Sequence, residues 1–200
     1  MQVMRLFVAV PAEERLREAL LAVQAELRSE LGDQVKWERP QNLHLTLKFL
    51  GDVPVAGIDS VFQVIQQTAV EFPTAALPVR GLDAFPRAQR PRVLVLSLAD
   101  PEGVAHGIAQ RLEDDLAALG FQRDRRRFKP HITLGRAKRH ARLPDVEPLL
   151  ESIDVSPVQE LYMDALTVFQ SELSSSGATY TVMAEEPLGA DIEAPDDEMR

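Results

Sequence analysis

The chain has 200 residues, of which 45% are apolar and 26% are charged, a balance that can build one compact globular domain. It contains no cysteine, which excludes disulfides and thiolate metal sites. Its formal charge of −9 argues against a protein that coats nucleic acid without sequence preference. The apolar run from Leu6 to Val10 is too short for a signal sequence or a membrane span, so we expect a soluble, cytoplasmic protein without membrane contact.

The first half of the chain predicts a strand, a helix, a second strand and a second helix. RLFVAV, residues 5–10, predicts the first strand. Pro11 marks the expected start of a helix that ends at Gly32, because apolar side chains recur between them at helical spacing. A strand around His44 and a helix from about Ile58 to Val70 follow. The apolar residues of the first helix are Leu16, Leu20, Val23, Leu27 and Leu31.

The second half predicts a similar order of elements. VRGLDAF and RVLVLSL predict strands, and an apolar stripe from Val104 to Leu119 predicts a helix that ends at Gly120. The segments ALTVFQSEL and ATYTVMAEE flank SSSG and predict a hairpin. We expect residues 1–188 to form one domain. Residues 189–200 are acidic and poor in large apolar groups, which predicts a disordered tail.

One short motif, His-aliphatic-Thr-Leu, occurs twice, although the chain has only four histidines. It lies in NLHLTLKFLG and in KPHITLGR, and both alternate polar and apolar residues as a half-buried strand does. The second copy places His131 and Thr133 on one face. The first copy places Asn42, His44, Thr46 and Lys48 on one face and Leu43, Leu45, Leu47 and Phe49 on the core face.

The spacing of the elements indicates an internal duplication. Arg5 precedes His44 by 39 positions and Arg92 precedes His131 by 39, so residues 5–50 and 92–136 repeat at an offset of 87. A duplication of this kind places two similar lobes around a pseudo-twofold axis. The two His-Thr pairs would then face each other across a groove.

The basic residues of this acidic chain are concentrated around His131. From Arg123 to Arg142 there are nine Lys or Arg and one acid, a sum of +8, so the other 180 residues sum to −17. Such a run often forms a merely solvated face. Because this one brackets a histidine of the repeated motif, an anionic ligand is expected there.

Two imidazoles and two hydroxyls in one groove suit displacement at phosphorus. Histidine titrates near pH 6.5, so one ring can be neutral and act as a base while the other is protonated and acts as an acid. Thr46 and Thr133 could donate hydrogen bonds to phosphate oxygens, and Arg136 could add a fixed positive charge. Metal binding is less favoured, because neither motif carries a second histidine or a carboxylate at ligand spacing.

The chain resembles the bacterial RNA 2′,3′-cyclic phosphodiesterases of the "2′-5′ RNA ligase" family, within the two-histidine phosphoesterase superfamily. The resemblance covers roughly residues 5–188, in the family's order, through RLFVAV, NLHLTLKFLG, GLDAFP, RFKPHITLGR and SSSGATYTV. It implies an α+β fold of two pseudo-symmetric lobes, each an antiparallel sheet with helices outside, enclosing a central groove.

The resemblance also implies roles for individual residues. His44 corresponds to the family's proton donor and His131 to its proton acceptor, while Thr46, Thr133 and Arg136 correspond to residues that hold the phosphate. Phe7 corresponds to a residue of the groove that contacts the nucleoside. The implied reaction is hydrolysis of an RNA terminal 2′,3′-cyclic phosphate to a 2′-phosphomonoester, without metal, ATP or another cofactor. The reverse reaction would join a 5′-hydroxyl in a 2′,5′ linkage.

Several alternatives stay open at this point. The protein could be an ATP-independent 2′,5′-RNA ligase, a phosphodiesterase for small cyclic nucleotides, or a non-enzymatic module that binds RNA ends. An ATP-driven ligase is disfavoured, since no lysine begins Lys-x-Asp-Gly.

Arg127, in the run Arg125–Arg127, is a candidate contact to an RNA backbone or a solubilising charge. His106 and His140 are expected to be solvated, Trp37 to anchor a loop in the core, and the protein to be a monomer.

Overall fold

The computed structural model describes residues 2–174 and 177–189, so the predicted tail lies outside the described residues except for Gly189. Nine strands, four helices and three single 3₁₀ turns lie along this part of the chain. The elements are β1 (Val3–Pro11), α1 (Glu14–Leu31), β2 (Val35–Trp37), β3 (His44–Pro54), α2 (Ile58–Glu71), β4 (Ala75–Phe85), β5 (Val93–Leu98), α3 (Val104–Ala118), β6 (His131–Ala137), α4 (Glu147–Ser152), β7 (Glu160–Met163), β8 (Ala165–Ser174) and β9 (Gly177–Pro187).

The strands form one antiparallel sheet in the order β7-β4-β5-β6-β3-β1-β8-β9, with β2 added beside β6. The sheet divides into two lobes, with β1, β3, β8 and β9 in one and β4 to β7 in the other. The main core lies between one face of the sheet and the buried stripes of the helices. A small second cluster of Phe7, Ala9 and Phe169 lies on the opposite face of the sheet. The α+β, two-lobed architecture expected from the sequence is confirmed.

The longer elements lie where the sequence predicts them, and the stripe of α1 is buried as expected. The predicted start of α1 is wrong by three residues. Pro11 is the last residue of β1, where it pairs with His44, and the helix begins at Glu14. The pattern of residues does not predict β2, α4 and β7, which have only three, six and four residues. Such short segments do not show a full hydrophobic period.

Among the described residues, the strands of the two lobes pair directly at one position, Leu45 of β3 with Ile132 of β6. These residues are 87 positions apart, the same offset as the two histidines. When equivalent residues pair in an antiparallel ladder, a local twofold axis passes between them. This register supports the duplication hypothesis. For the preceding strands the offset is 86, because Pro11 lies opposite His44 and Ser97 lies opposite His131. Arg5 and Arg92 are therefore not equivalent in the sheet.

Each histidine strand carries a β-bulge at the same place. The register skips Leu47 where β3 pairs with β1, and it skips Leu134 where β6 pairs with β5. A bulge inserts one residue and reverses which face the following side chains occupy. The expected positions of Lys48 and Phe49 are therefore wrong: Lys48 is 2% exposed and Phe49 is 61% exposed. In β6 the same shift puts Arg136 on the face of His131 and Thr133.

The buried ammonium group of Lys48 is satisfied by three partners. Its Nζ lies 2.5 Å from Glu113 Oε1 on α3 and donates to the Gln122 carbonyl at 2.9 Å. Asp124 Oδ2 lies 3.6 Å away. A buried cation is tolerated only when it is paired and hydrogen-bonded. The lysine therefore connects β3 to α3 and to the segment that leads to His131.

Replacing Gly135 with alanine should destabilise the fold at the bulge of β6. An added Cβ would lie 2.6 Å from Val35 Cγ1 and 2.9 Å from Trp37 Cε3, so β2 would have to shift. We expect Gly135→Ala to lower the free energy of unfolding by about 1–3 kcal/mol, measured by urea denaturation. Gly57→Ala is the matched control, because its Cβ would meet nothing within 4 Å. Equal stability of the two variants would contradict the tight packing of β2 on β6.

Candidate active site

The first residues of β3 and β6 are the two histidines, and the backbone holds both rings in the same way. His44 Nδ1 lies 2.6 Å from the carbonyl oxygen of Asn42, and His131 Nδ1 lies 2.7 Å from that of Lys129. A carbonyl only accepts, so Nδ1 carries the hydrogen in both rings and donates it. Each Nε2 is then the atom left for chemistry. His44 Nε2 lies 2.8 Å from Thr46 Oγ1.

Both histidines are held in the neutral form in the free protein. The pKa of His44 is lowered to about 4: burial is the largest cause, the hydrogen bond to Asn42 opposes it, and the positive charges of Arg136 and His131 add to the lowering. Burial also lowers the pKa of His131, again with a contribution from Arg136. Burial acts in this direction because it disfavours the charged imidazolium. These interactions place Arg136 within electrostatic reach of both rings.

Arg136 is a charged group that acts on both histidines. Its Nε lies 3.5 Å from Glu38 Oε1, a carboxylate in the turn after β2. Lys36 of β2 is directly opposite Arg136 in the sheet. The charge of Arg136 acts on both rings, and its contact with a phosphate stays a prediction. Glu38 was not anticipated, since no pattern in the sequence connects it with β6.

Aromatic rings surround His44. The centroid of Phe7 lies 5.0 Å from the His44 ring, and that of Tyr180 lies 5.5 Å from it in an edge-on contact. Phe169 stacks on Phe7 at 5.3 Å. Phe7 itself is 3% exposed, whereas its neighbour Phe49 presents an open ring. Phe7 therefore supports the His44 ring, and its contact with a nucleoside stays a prediction.

The environment of His131 is more open and more basic. The Phe85 ring contacts it edge-on at 5.0 Å, and Lys129 Nζ lies 5.8 Å from the Phe85 centroid. Thr133 is half-buried on the same face. Arg127 is exposed and lines a cleft of about 600 Å³ together with Phe85 and Lys129.

The other histidines lie outside the groove. His106 Nδ1 is 2.6 Å from Asp100 Oδ2, and the His106 ring contacts Phe128 edge-on. His140 is exposed, as expected. In the described ranges no three His, Cys, Asp or Glu side chains are grouped so that they could hold a metal ion. In the same ranges no helix is both long and apolar enough to cross a bilayer.

Two of the aromatic residues at His44 are not predicted from the sequence, because their positions depend on the order of the strands in the sheet. Phe169 and Tyr180 belong to the hairpin of β8 and β9, which reaches His44 only because β8 pairs with β1. Phe49 was assigned to the core because the bulge was not foreseen. The sequence did contain a signal for the two carbonyl oxygens that accept hydrogen bonds from the histidine rings, since Asn42 and Lys129 are also 87 positions apart.

Comparison with known proteins agrees with this geometry. The sequence profile of the family described as LigT like Phosphoesterase matches residues 10–95 and 99–180, and each segment contains one His-x-Thr strand. The chain belongs to this family. Both matched segments include the bulge that follows the histidine, and together they cover most of the described residues.

Relatives and solved structures of similar length support the assignment. A Thermus thermophilus protein named RNA 2′,3′-cyclic phosphodiesterase is 35% identical over 190 residues, which cover 90% of this chain and 88% of the relative. A Methanothermobacter thermautotrophicus protein of the same name is 31% identical over 179 residues, covering 90% and 96%. The crystal structure of the Thermus thermophilus protein TT0787 gives a TM-score of 0.76 at 28% identity, covering 94% of this chain and 100% of that one. Escherichia coli LigT complexed with 3′-AMP gives 0.75 at 23% identity, with the same coverage.

The charge states of the two rings can be tested by NMR titration. In the free protein the His44 ring should titrate near pH 4, and His131 below its ordinary value of 6.5. Arg136→Gln should raise the pKa of both rings, because it removes a positive charge that lowers both. Inorganic phosphate bound in the groove should raise them in the wild type for the converse reason. Titration of both rings near pH 6.5, unchanged by the substitution, would contradict the geometry.

Proposed function

We propose that this protein hydrolyses the 2′,3′-cyclic phosphate at an RNA end to a 2′-phosphomonoester, with the two histidines as acid and base and without a metal ion. The observation that carries the proposal is the matched pair of rings. Both donate from Nδ1 to a backbone carbonyl, which leaves Nε2 as the atom for chemistry, and the charge of Arg136 acts on both rings. The names of the relatives support the choice of RNA as the substrate.

His131 acts as the base in the proposed mechanism. Its neutral Nε2 takes a proton from the attacking water, while the Nδ1 hydrogen bond to Lys129 holds the ring and stabilises the imidazolium that forms. His44 acts as the acid and gives a proton from Nε2 to the departing ribose 3′ oxygen. The Thr46 hydroxyl lies within hydrogen-bond distance of that nitrogen. It accepts the Nε2 hydrogen until the ribose 3′ oxygen replaces it as the acceptor.

Arg136 and the two threonines bind the phosphate. The guanidinium donates to the nonbridging oxygens, where negative charge is concentrated in the transition state. Thr46 and Thr133 stand on the same face as the histidines and donate from their hydroxyl groups. Glu38 holds Arg136 at the edge of the groove. Arg127 contacts RNA at a greater distance from the reacting phosphorus.

The low pKa of His44 is compatible with its role as an acid. In the free protein Arg136 and His131 oppose protonation of the ring. A bound cyclic phosphate neutralises this positive charge and raises the pKa, so that the ring becomes protonated when the substrate is present. The acid is thus formed by substrate binding. The optimum of kcat therefore lies at a higher pH than that of kcat/KM.

The matched rings favour a phosphodiesterase over a silent RNA-end binding module. A module that only binds needs cations and a stacking ring, and it has no use for two rings held in the same tautomer. A small cyclic nucleotide is the second candidate substrate, since the open Phe49 ring accommodates a single base. We infer a cytoplasmic monomer that needs no cofactor.

The product of the reaction tests the assignment of the two roles. An oligonucleotide with a 2′,3′-cyclic phosphate end should give a 2′-phosphate, identified by phosphorus NMR, and EDTA should leave the rate unchanged. In-line attack requires the leaving oxygen to lie opposite the water and next to the acid, which His44 supplies. A 3′-phosphate would mean that the two histidines exchange roles. Loss of activity in EDTA would contradict a mechanism without a metal.

Single substitutions test the need for both histidines. His44→Ala and His131→Ala should each lower kcat by about 10²–10⁴-fold while circular dichroism stays unchanged, because both rings lie on the face opposite the main core. The double variant should be little worse than the weaker single one, since the pair acts as a unit. His140→Ala is the control, with an exposed ring outside the groove. Near-wild-type activity of either single variant would disprove the two-histidine mechanism.

A further inference from the structure

The acidic end of the sequence has no part in the proposed hydrolysis. Residues 190–200, ADIEAPDDEMR, lie outside the described residues and carry five acids and one arginine, a net charge of −4. Three of the acids, at positions 196–198, are consecutive. Acidic segments of this kind commonly act as interaction tails. The opposite charge in this chain is concentrated in the run from Arg123 to Arg142.

Part of that basic run borders a cleft on the helical side of the second lobe. This cleft of about 510 Å³, called the arginine cleft here, separates α3 from the segment that leads to His131. Arg125, Arg126 and Arg127 line one side, and Gly107 of α3 lies on the other. All three arginines are exposed, and within residues 2–174 and 177–189 none of them forms an ion pair. Guanidinium groups without a counter-ion favour an anionic ligand.

The carboxylates close to the arginine cleft already have other partners. Glu113, which lines the cleft, binds the buried ammonium group of Lys48, and Asp124 lies 3.6 Å from the same group. Asp114 pairs with Arg123. These acids therefore do not neutralise the three arginines, and their positive charge is available to another segment of the chain.

The described part of the chain ends beside this cleft. The Gly189 amide donates to the Ala69 carbonyl of α2 at 3.0 Å, and a Cβ at Gly189 would lie 3.8 Å from the Phe72 carbonyl oxygen. The Phe72 ring contacts Gly107, where a Cβ would lie 2.6 Å from Phe72 Cε1. Phe72 therefore lies between Gly189 and the cleft.

The acidic segment is long enough to cross this distance. Gly189 is at the end of α2 and the cleft is on the neighbouring α3, so the separation is on the order of one helix diameter, about 10–12 Å. Eleven residues span up to about 36 Å when fully extended. Residues 190–200 can therefore cover Phe72 and still reach the arginines on the far side of the cleft.

We propose that residues 191–198 bind in the arginine cleft and compete there with RNA. The competition rests on the proposed function, in which Arg127 contacts RNA. Arg127 lines both the arginine cleft and the cleft at Phe85, whose ring contacts His131. Carboxylates and phosphates bind guanidinium groups in the same way, so a bound tail withdraws Arg127 from an RNA strand. The tail thus lowers the affinity for oligonucleotides and leaves the chemistry of the two histidines unchanged.

Neutralising the tail in the intact chain tests the competition. The variant carries Asp191→Asn, Glu193→Gln, Asp196→Asn, Asp197→Asn and Glu198→Gln. Its KM for an oligonucleotide with a cyclic phosphate end should fall about threefold to tenfold at low salt, because a competitor at an effective concentration of about a millimolar is lost. The fall should disappear at high salt, which screens the charge pairs. Both kcat and the KM for a mononucleotide 2′,3′-cyclic phosphate should stay unchanged.

A matched variant separates docking of the tail from a change of net charge. It converts five exposed acids in and around α1 to their amides, so that the net charge changes by the same amount: Glu13, Glu18, Glu26, Glu30 and Asp33. Its KM for the oligonucleotide should stay near that of the wild type. An equal fall in the two variants, or no fall in either, would overturn the proposal. A fall in the KM for the mononucleotide as well would place the tail at the histidines and would also overturn it.

The arginines provide the reciprocal test. In the double variant Arg125→Ala, Arg126→Ala, neutralising the tail should lower KM by about half the factor seen in the wild type or less, because groups in contact are energetically coupled. In Arg139→Ala, which removes an exposed arginine that does not line the cleft, the full factor should remain. An undiminished factor in the double variant would place the tail elsewhere and overturn the assignment to this cleft.

Amide NMR spectra without substrate measure docking independently of activity. The signals of Arg125, Arg126 and Arg127 should differ between the wild type and the neutralised tail, by an amount that does not depend on protein concentration. Identical signals would overturn docking. A difference that grows with concentration would assign the tail to the cleft of a second molecule and contradict the intramolecular contact. Failure of the protein to consume the cyclic phosphate would refute the proposed function and the competition, while the spectra would still decide whether the tail docks.

Discussion

The pairing of Leu45 with Ile132 is the constraint on which the active groove depends. Both side chains are fully buried, so they point to the face covered by the helices. Because neighbours along a strand point to opposite faces, His44 and His131 must point away from the core, into the groove. The two strands that carry the rings are thus brought together by this ladder contact. Positioning on strands is more precise than positioning on loops.

The regular elements could be predicted because their signals are local. The stripe of α1 and the alternation at His44-Leu45-Thr46 follow from helix and strand periods alone. The bulges at Leu47 and Leu134 could not be predicted, since they arise from pairing with β1 and β5, which lie far away in sequence. One extra residue then reversed the expected positions of Lys48 and Phe49. The glycine at position 135 marks the second bulge only in retrospect, through the closeness of Val35 and Trp37.

The sequence predicts that Arg136 and His131 lie in the same strand, because both belong to the motif KPHITLGR. It does not predict that they share a face, which depends on the bulge at Leu134, and it does not predict the environment of the rings. The rings around His44 come from β1, β3, β8 and β9, and only the sheet order brings them together. Burial by these rings is the main cause of the low pKa of His44. The protonation behaviour of the site is therefore a property of the tertiary structure.

The buried lysine at position 48 has a consequence for local stability. The segment 121–130 carries several arginines close together, and their mutual repulsion would favour an open, fluctuating loop. Its start is held by the contacts of the lysine to Glu113, Gln122 and Asp124. Opening the segment would remove Gln122 and Asp124, two of the three partners of a buried ammonium group, which is costly. The start of the segment is therefore coupled to β3 and α3, and the backbone amide of Asp124, which donates to Glu113 Oε2, should exchange with solvent when that core opens.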